Sequence, residues 1–179
     1  MSNLEAALTV CFTDHRFFMK KITLIRHAKS SWELNLPDHQ RPLNLRGMND
    51  ADLVSKHVKS ETFIPELLLS SNAERAKTTA EIFIENLNIP RDICQFTHEL
   101  YDFSGKYLTF HIKNCPNQIN HLMVFGHNDA ITNFVNTYGS KSIENVPTCG
   151  VVTITFNTTS WKEIRSGQTI QYTFPKALK

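Results

Sequence analysis

Apolar and polar positions follow two rhythms along this chain. Ile22-Thr23-Leu24-Ile25, Leu67-Leu68-Leu69 and Leu122-Met123-Val124-Phe125 are short, nearly unbroken apolar runs and read as buried strands. Between them the apolar residues recur at helical spacing. Met48, Ala51, Val54 and Val58 share one face of a helix predicted from Asn44 to about Lys59. Ala76, Ala80, Phe83, Ile84 and Leu87 share a face of another, from about Ala73 to Leu87, with Ser71 or Asn72 as its N-cap and Asn88-Ile89-Pro90 as its end. Ile131, Phe134, Val135 and Tyr138 define a helix opened by His127, Ile93 to Phe96 a short strand, and Ser104 to about Lys113 a further helix. After Gly150 the pattern changes. Val151 to Phe156 and Trp161 to Phe174 are rich in β-branched and aromatic residues and predict two or three antiparallel strands, with turns at Asn157 to Ser160 and Ser166-Gly167. The expected fold is α/β: a three-layer sandwich with a mostly parallel central sheet, an antiparallel edge strand and helices on both faces.

What the strands run into carries the chemistry. The first ends in Arg26-His27, the second leads through Ser70-Ser71-Asn72 to Arg75 in the first turn of a helix, and the third breaks at Gly126 before His127. In α/β proteins, ligands are held at the carboxyl ends of strands. If these strands are parallel neighbours, Arg26, His27, Arg75 and His127 converge there, with two helix N-termini supplying free N–H groups. Such a set suits a phosphate, and the four groups would repel one another without an anion.

Arg26-His27-Ala28-Lys29-Ser30-Ser31-Trp32, Ser70 to Thr78, and Gly126-His127-Asn128 resemble the three motifs of the histidine phosphatase superfamily. The segment Arg41-Pro42-Leu43-Asn44-Leu45-Arg46-Gly47 is similar to one in the small SixA-type phosphohistidine phosphatases. The likeness runs from about residue 20 to the C-terminus, and the combination of motifs is specific where any one alone is not. It implies that His27 is the nucleophile and forms a phosphohistidine intermediate. Arg26, Arg75 and His127 would hold the phosphate oxygens and stabilise the transition state. No metal or other cofactor is implied. His27 must be neutral at its attacking nitrogen, so its other nitrogen should donate to a carbonyl or similar acceptor. A carboxyl would protonate the leaving group: Asp102 by its place after Leu100, or alternatively Glu99. Arg41 and Ser30 are further candidates for substrate binding, and Lys29 for the rim or plain surface. The chain departs from the wider superfamily at Ala28, in place of the signature glycine, and at Glu33, where the larger phosphoglycerate mutases carry an Asn that helps bind phosphate.

The expected substrate is phosphohistidine on a partner protein. The alternatives are a small phosphomonoester, such as a sugar or nucleotide phosphate, or a non-catalytic phosphoprotein-binding role. A dinucleotide-binding protein is disfavoured because no glycine-rich turn follows the first strand. With 179 residues, 41% of them hydrophobic and 20% charged, the chain suits one globular domain, expected over residues 19–179. Residues 1–18 read as an extension outside it, the alternative being an ordered helix or an oligomer contact. A net charge of +2 argues against nucleic acid or an anionic membrane as partner, and no apolar stretch approaches a membrane span. The expected state is a cytoplasmic monomer or weak oligomer. Cys11, Cys94, Cys115 and Cys149 are scattered without metal-ligand spacing and read as reduced structural thiols.

Overall fold

The computed structural model describes residues 19–59 and 63–179; the extension expected over residues 1–18 lies outside the described residues. In chain order the main elements are β1 (Met19–Arg26), α1 (Leu45–His57), β2 (Leu67–Ser71), α2 (Glu74–Leu87), β3 (Cys94–Thr97) and α3 (Lys106–Lys113). Then come β4 (His121–Gly126), α4 (Asn128–Tyr138), β5 (Val151–Asn157) and β6 (Gln168–Thr173). The strands form one sheet in the order β3-β2-β4-β1-β5-β6. The pairings β3-β2, β2-β4 and β4-β1 are parallel, while β5 runs antiparallel to β1 and β6 to β5.

This order explains the layers. From β1 to β3 the chain steps one way along the sheet; it then reverses and inserts β4 between β2 and β1. Because parallel crossovers are right-handed, the reversal sends the later helices to the opposite face. One core accordingly packs Ile25, Leu68, Met123 and Phe125 against Ala51 and Val54 of α1 and Ala80, Phe83 and Leu87 of α2. The other packs Leu24, Leu69, Leu122 and Val124 against Leu108 and Ile112 of α3 and Ile131, Phe134 and Val135 of α4. Neighbouring strand residues alternate between the two cores, and every residue of β4 is buried, as a central parallel strand covered on both faces requires.

The structure shifts some predicted elements. Trp161 does not begin a strand: Trp161–Glu163 is a short 3₁₀ turn, with the indole fully buried and its Nε1 donating to Ile119 O at 2.7 Å, and β6 starts only at Gln168. The N-cap of α2 is Ala73, with no capping side chain, because Ser70 and Ser71 are spent extending β2. Ser71 Oγ still accepts from Ala73 N at 3.2 Å. No helix among the described residues is long and apolar enough to cross a membrane.

Candidate active site

The reversal at β4 opens a crevice at the carboxyl ends of β1, β4 and β2, the place where open α/β sheets hold ligands. Register makes the motifs converge. Arg26 pairs with Gly126 and Phe125 with Ser70, so His27 and His127 emerge side by side with their ring centroids 5.2 Å apart. Arg75 enters from the first turn of α2, two residues beyond the N-cap, and places its Nε 3.2 Å from His27 Nε2. Sequence-predicted residues from three strand ends thus meet in one place.

The protonation state of His27 follows from its partners. Its Nδ1 lies 2.8 Å from Ala28 O, which can only accept, so Nδ1 carries the proton. Nε2 faces the Nε–H of Arg75, which can only donate, so Nε2 presents its lone pair. Burial is the main cause that lowers its pKa, to about 3; the Ala28 bond opposes this, and His127, Arg75 and Arg26 add to it. The ring is therefore neutral at pH 7. Ala28 itself is fixed by a bond from its N–H to Thr79 Oγ1 at 3.0 Å, and beneath it Cys149 N–H is shared between Arg26 O and His27 O. Cys149 adopts a left-handed backbone (φ 60°), and burial pushes its thiol pKa far up, in keeping with an inert structural role.

The pocket above His27 has a volume of about 330 Å³ and is lined by Arg26, Lys29, Arg41, Arg75, Ser30, Trp32, Asp38, Phe103, Asn128 and Thr148. Arg26 donates through Nη1 to Val146 O at 2.8 Å, while its buried Nε has no hydrogen-bond partner among the described residues, an unmet donor that suits an anion. Asn128 is the first residue of α4, whose N-terminus carries no capping side chain. His127 is fully buried beneath this lining, 4.9 Å from the Phe103 ring and 3.0 Å through Nε2 from Ser71 Oγ. Its pKa also falls to about 3, through burial first and Arg75 next. The repulsion expected among four cations is therefore absent. Two of the four are neutral imidazoles, and a carboxylate, Asp38, sits among the arginines.

The expected acids lie elsewhere. Asp102 does not line the pocket: one carboxylate oxygen accepts from Ser104 N and Ser104 Oγ, the other from Tyr107 N and Leu108 N, so it caps α3. Burial opposes its ionisation, but the bonds from Ser104, Leu108 and Gly105 outweigh this and lower its pKa. Glu99 is exposed and bonded to His111 at 2.6 Å. Glu33 is exposed and outside the lining. Arg41 and Ser30 are buried against each other, with Arg41 Nη2 donating to Ser30 Oγ and its guanidinium stacked 3.1 Å from the Trp32 ring centroid. Lys29 is exposed at the mouth.

Sequence reasoning passed over Asp38, Thr148, Phe103 and Tyr101 as site residues. Asp38 bonds Arg75 and Arg41 at 2.8 and 2.7 Å, and Tyr101 donates to it through its hydroxyl. The spacing of Asp38 and Arg41, three apart, was the available signal, but in a polar loop such spacing is common. Among the described residues no group of His, Cys, Asp or Glu side chains is arranged to hold a metal ion.

An α/β crevice that gathers neutral histidines, arginines and an uncapped helix N-terminus has the groups that binding an oxyanion requires. Comparison with known proteins agrees. The family described as the histidine phosphatase superfamily (branch 1) matches residues 22–107, just under half the chain. Over those residues the chain is similar to this superfamily. A chloroplastic protein of Arabidopsis thaliana, itself uncharacterised, is 28% identical over 153 residues, 80% of this chain and 70% of that protein. The protein histidine phosphatase SixA complexed with tungstate shares the fold at TM-score 0.72 and 20% identity, covering 89% of this chain and 99% of that one. A mycobacterial glucosyl-3-phosphoglycerate phosphatase shares it at TM-score 0.64 and 10% identity, covering 85% and 97%.

Proposed function

We propose that the protein is a phosphatase acting through a phosphohistidine intermediate, and that its substrate is phosphohistidine on a partner protein. The observation that carries the reading is the state of His27: a neutral ring whose proton is tied to Ala28 O and whose Nε2 lone pair faces the cationic pocket. In the reaction Nε2 attacks phosphorus along the axis opposite the leaving group. A bond from phosphorus to Nε2 forms and the bond to the substrate's nitrogen breaks. Arg26 and Arg75 hold the phosphoryl oxygens with charge-assisted bonds as negative charge grows on them. Water then hydrolyses the enzyme's phosphohistidine, releasing phosphate and restoring His27. His127 backs the site from beneath, its Nδ1 3.5 Å from Arg75 Nη2, and Arg41 and Ser30 complete the lining.

The substrate class is supported by the carboxylates. An alkyl phosphate needs a proton on its departing oxygen, yet Asp102 is ionised and committed to α3, and Glu99 pairs with His111. Asp38 is held ionised by its three donors. An imidazole protonated by solvent leaves without such a donor. The SixA structure bound to tungstate, a phosphate-like anion, has the same fold.

The test is acid quench after mixing with phosphoramidate, a phosphohistidine protein or a small phosphomonoester. Label should be trapped on wild type as acid-labile, base-stable phosphohistidine. His27→Ala should trap none and lose about 10³-fold or more in rate while remaining folded. Turnover by His27→Ala within tenfold of wild type refutes the covalent route. Turnover of phosphomonoesters alone moves the substrate class to small molecules.

A further inference from the structure

Asp38 is a carboxylate in a pocket built for anions, and the chemistry proposed above gives it no task. Its side chain is 42% exposed, whereas that of Arg75 is 3% exposed. Asp38 Oδ2 accepts from Arg75 Nη2 at 2.8 Å and from the Tyr101 hydroxyl, Oδ1 accepts from Arg41 Nη1 at 2.7 Å, and the main-chain oxygen of Asp38 accepts from Arg75 Nη1.

A guanidinium is planar and offers two hydrogen-bonding edges. On Arg75 the end edge, Nη1 with Nη2, is filled by one residue: the carbonyl and the carboxylate of Asp38. The side edge, Nε with Nη2, faces His27 Nε2 at 3.2 Å and His127 Nδ1 at 3.5 Å. Nη2 has two hydrogens, one for each edge. A phosphoryl group attacked by His27 must lie against the side edge, so the two edges divide the work: one is anchored, the other is presented.

We infer that Asp38 is the positioning residue for Arg75, clamping the end of its guanidinium so that the Nε/Nη2 edge meets the phosphoryl group on its way to His27. The inference rests on the proposed roles of His27 and Arg75. A fork already held in plane needs no reordering when the oxyanion forms, which is where preorganised donors gain their effect. Charge-assisted bonds make the clamp stiffer than neutral ones would. The carboxylate also offsets part of the positive charge of Arg41 and Arg75, so the arginines stay packed before substrate arrives. Because its bonds to Tyr101, Arg75 and Arg41 keep Asp38 ionised, it is a poor proton donor.

The test uses the full-length protein and two readouts. In ¹⁵N NMR, with the signal assigned through Arg75→Lys, wild-type Arg75 should show a slowly exchanging Nε–H and hindered rotation about Nε–Cζ. Asp38→Ala should lose both, and Asp38→Asn, whose amide oxygen still accepts, should keep them in part. In kinetics, Asp38→Ala should lower kcat/KM about 10- to 100-fold, the scale of a small misplacement of a catalytic group. The same change should cause no further loss in an Arg75→Ala background. An Arg75 signal unchanged in Asp38→Ala, or losses that multiply in the double variant, overturns the clamp. A wild type inert on phosphoramidate, phosphohistidine protein and phosphomonoesters refutes the phosphatase reading instead, while the NMR arm still decides the clamp.

Discussion

Asp102 separates two physical pictures of a single carboxylate. As an acid it would hold a proton near a leaving group. As the structure has it, the carboxylate receives Ser104 N at 2.8 Å, Ser104 Oγ at 2.7 Å, Tyr107 N at 2.9 Å and Leu108 N at 3.1 Å at the start of α3, where negative charge is favoured. Asp102→Asn turns one accepting oxygen into an NH₂ that faces donors. It should cost about 1.5–3 kcal/mol of stability, the scale of hydrogen bonds to a charged group. Rates on phosphohistidine and on phosphomonoesters should fall by a common factor. Urea unfolding and paired kinetics check this; a loss confined to phosphomonoesters, of about 10²–10⁴-fold, would return Asp102 to the role of proton donor. The residues that meet at the pocket were legible because each sits at the end of an apolar run: Arg26 and His27, Arg75, and His127. Their states were not. The sequence contains no sign that Ala28 O would receive the His27 proton, or that a loop aspartate ten residues beyond Ala28 would reach Arg75. Such contacts depend on how separate segments settle against each other.

At the scale of elements, the turn between β1 and α1 shows why a motif glycine is needed. Asn44 caps α1 by accepting from Gly47 N at 2.8 Å, and its own N–H donates to Lys29 O at 3.0 Å. A Cβ on Gly47 would lie 2.1 Å from the main-chain oxygen of Lys29, two residues beyond His27. Gly47→Ala should therefore displace either α1 or the His27 loop, lowering turnover as well as stability. Asn44→Ala removes only a cap and should cost about 1 kcal/mol. Thermal unfolding together with kinetics separates the two, and an active, stable Gly47→Ala protein would show that the approach relaxes without consequence. The helices and buried strands were legible from periodicity because each buries a continuous face. Trp161 was misread for the same reason: it is as buried as a strand residue, but it is held by a 3₁₀ turn whose indole bonds Ile119 O. Burial is visible in a residue type; the backbone that achieves it is not.

For the whole molecule, burying neutral imidazoles ties stability to pH. The pKa values of His27 and His127 fall to about 3 and that of His121 to about 4, burial being the largest cause in each case. In the unfolded chain these rings titrate near 6.5. Between those values the unfolded state binds protons that the folded state refuses, so unfolding free energy rises with pH. The contribution is present in full above about pH 6.5 and is lost as pH falls toward the folded values. His121 tests this away from the pocket: it lies at the opposite end of β4, buried, with Nε2 3.0 Å from Thr23 Oγ1 and Nδ1 3.0 Å from Ile64 O. His121→Gln removes one titrating ring while keeping a side chain able to donate and accept. Its stability at pH 7 is expected to fall, since the fit is altered. The informative quantity is the slope. Between pH 6 and pH 5 the variant should lose less stability than wild type, by up to about 1.4 kcal/mol per pH unit, the effect of one proton. Denaturant unfolding at both pH values measures it. Equal slopes would mean that His121 takes up its proton in the folded state as readily as in the unfolded chain.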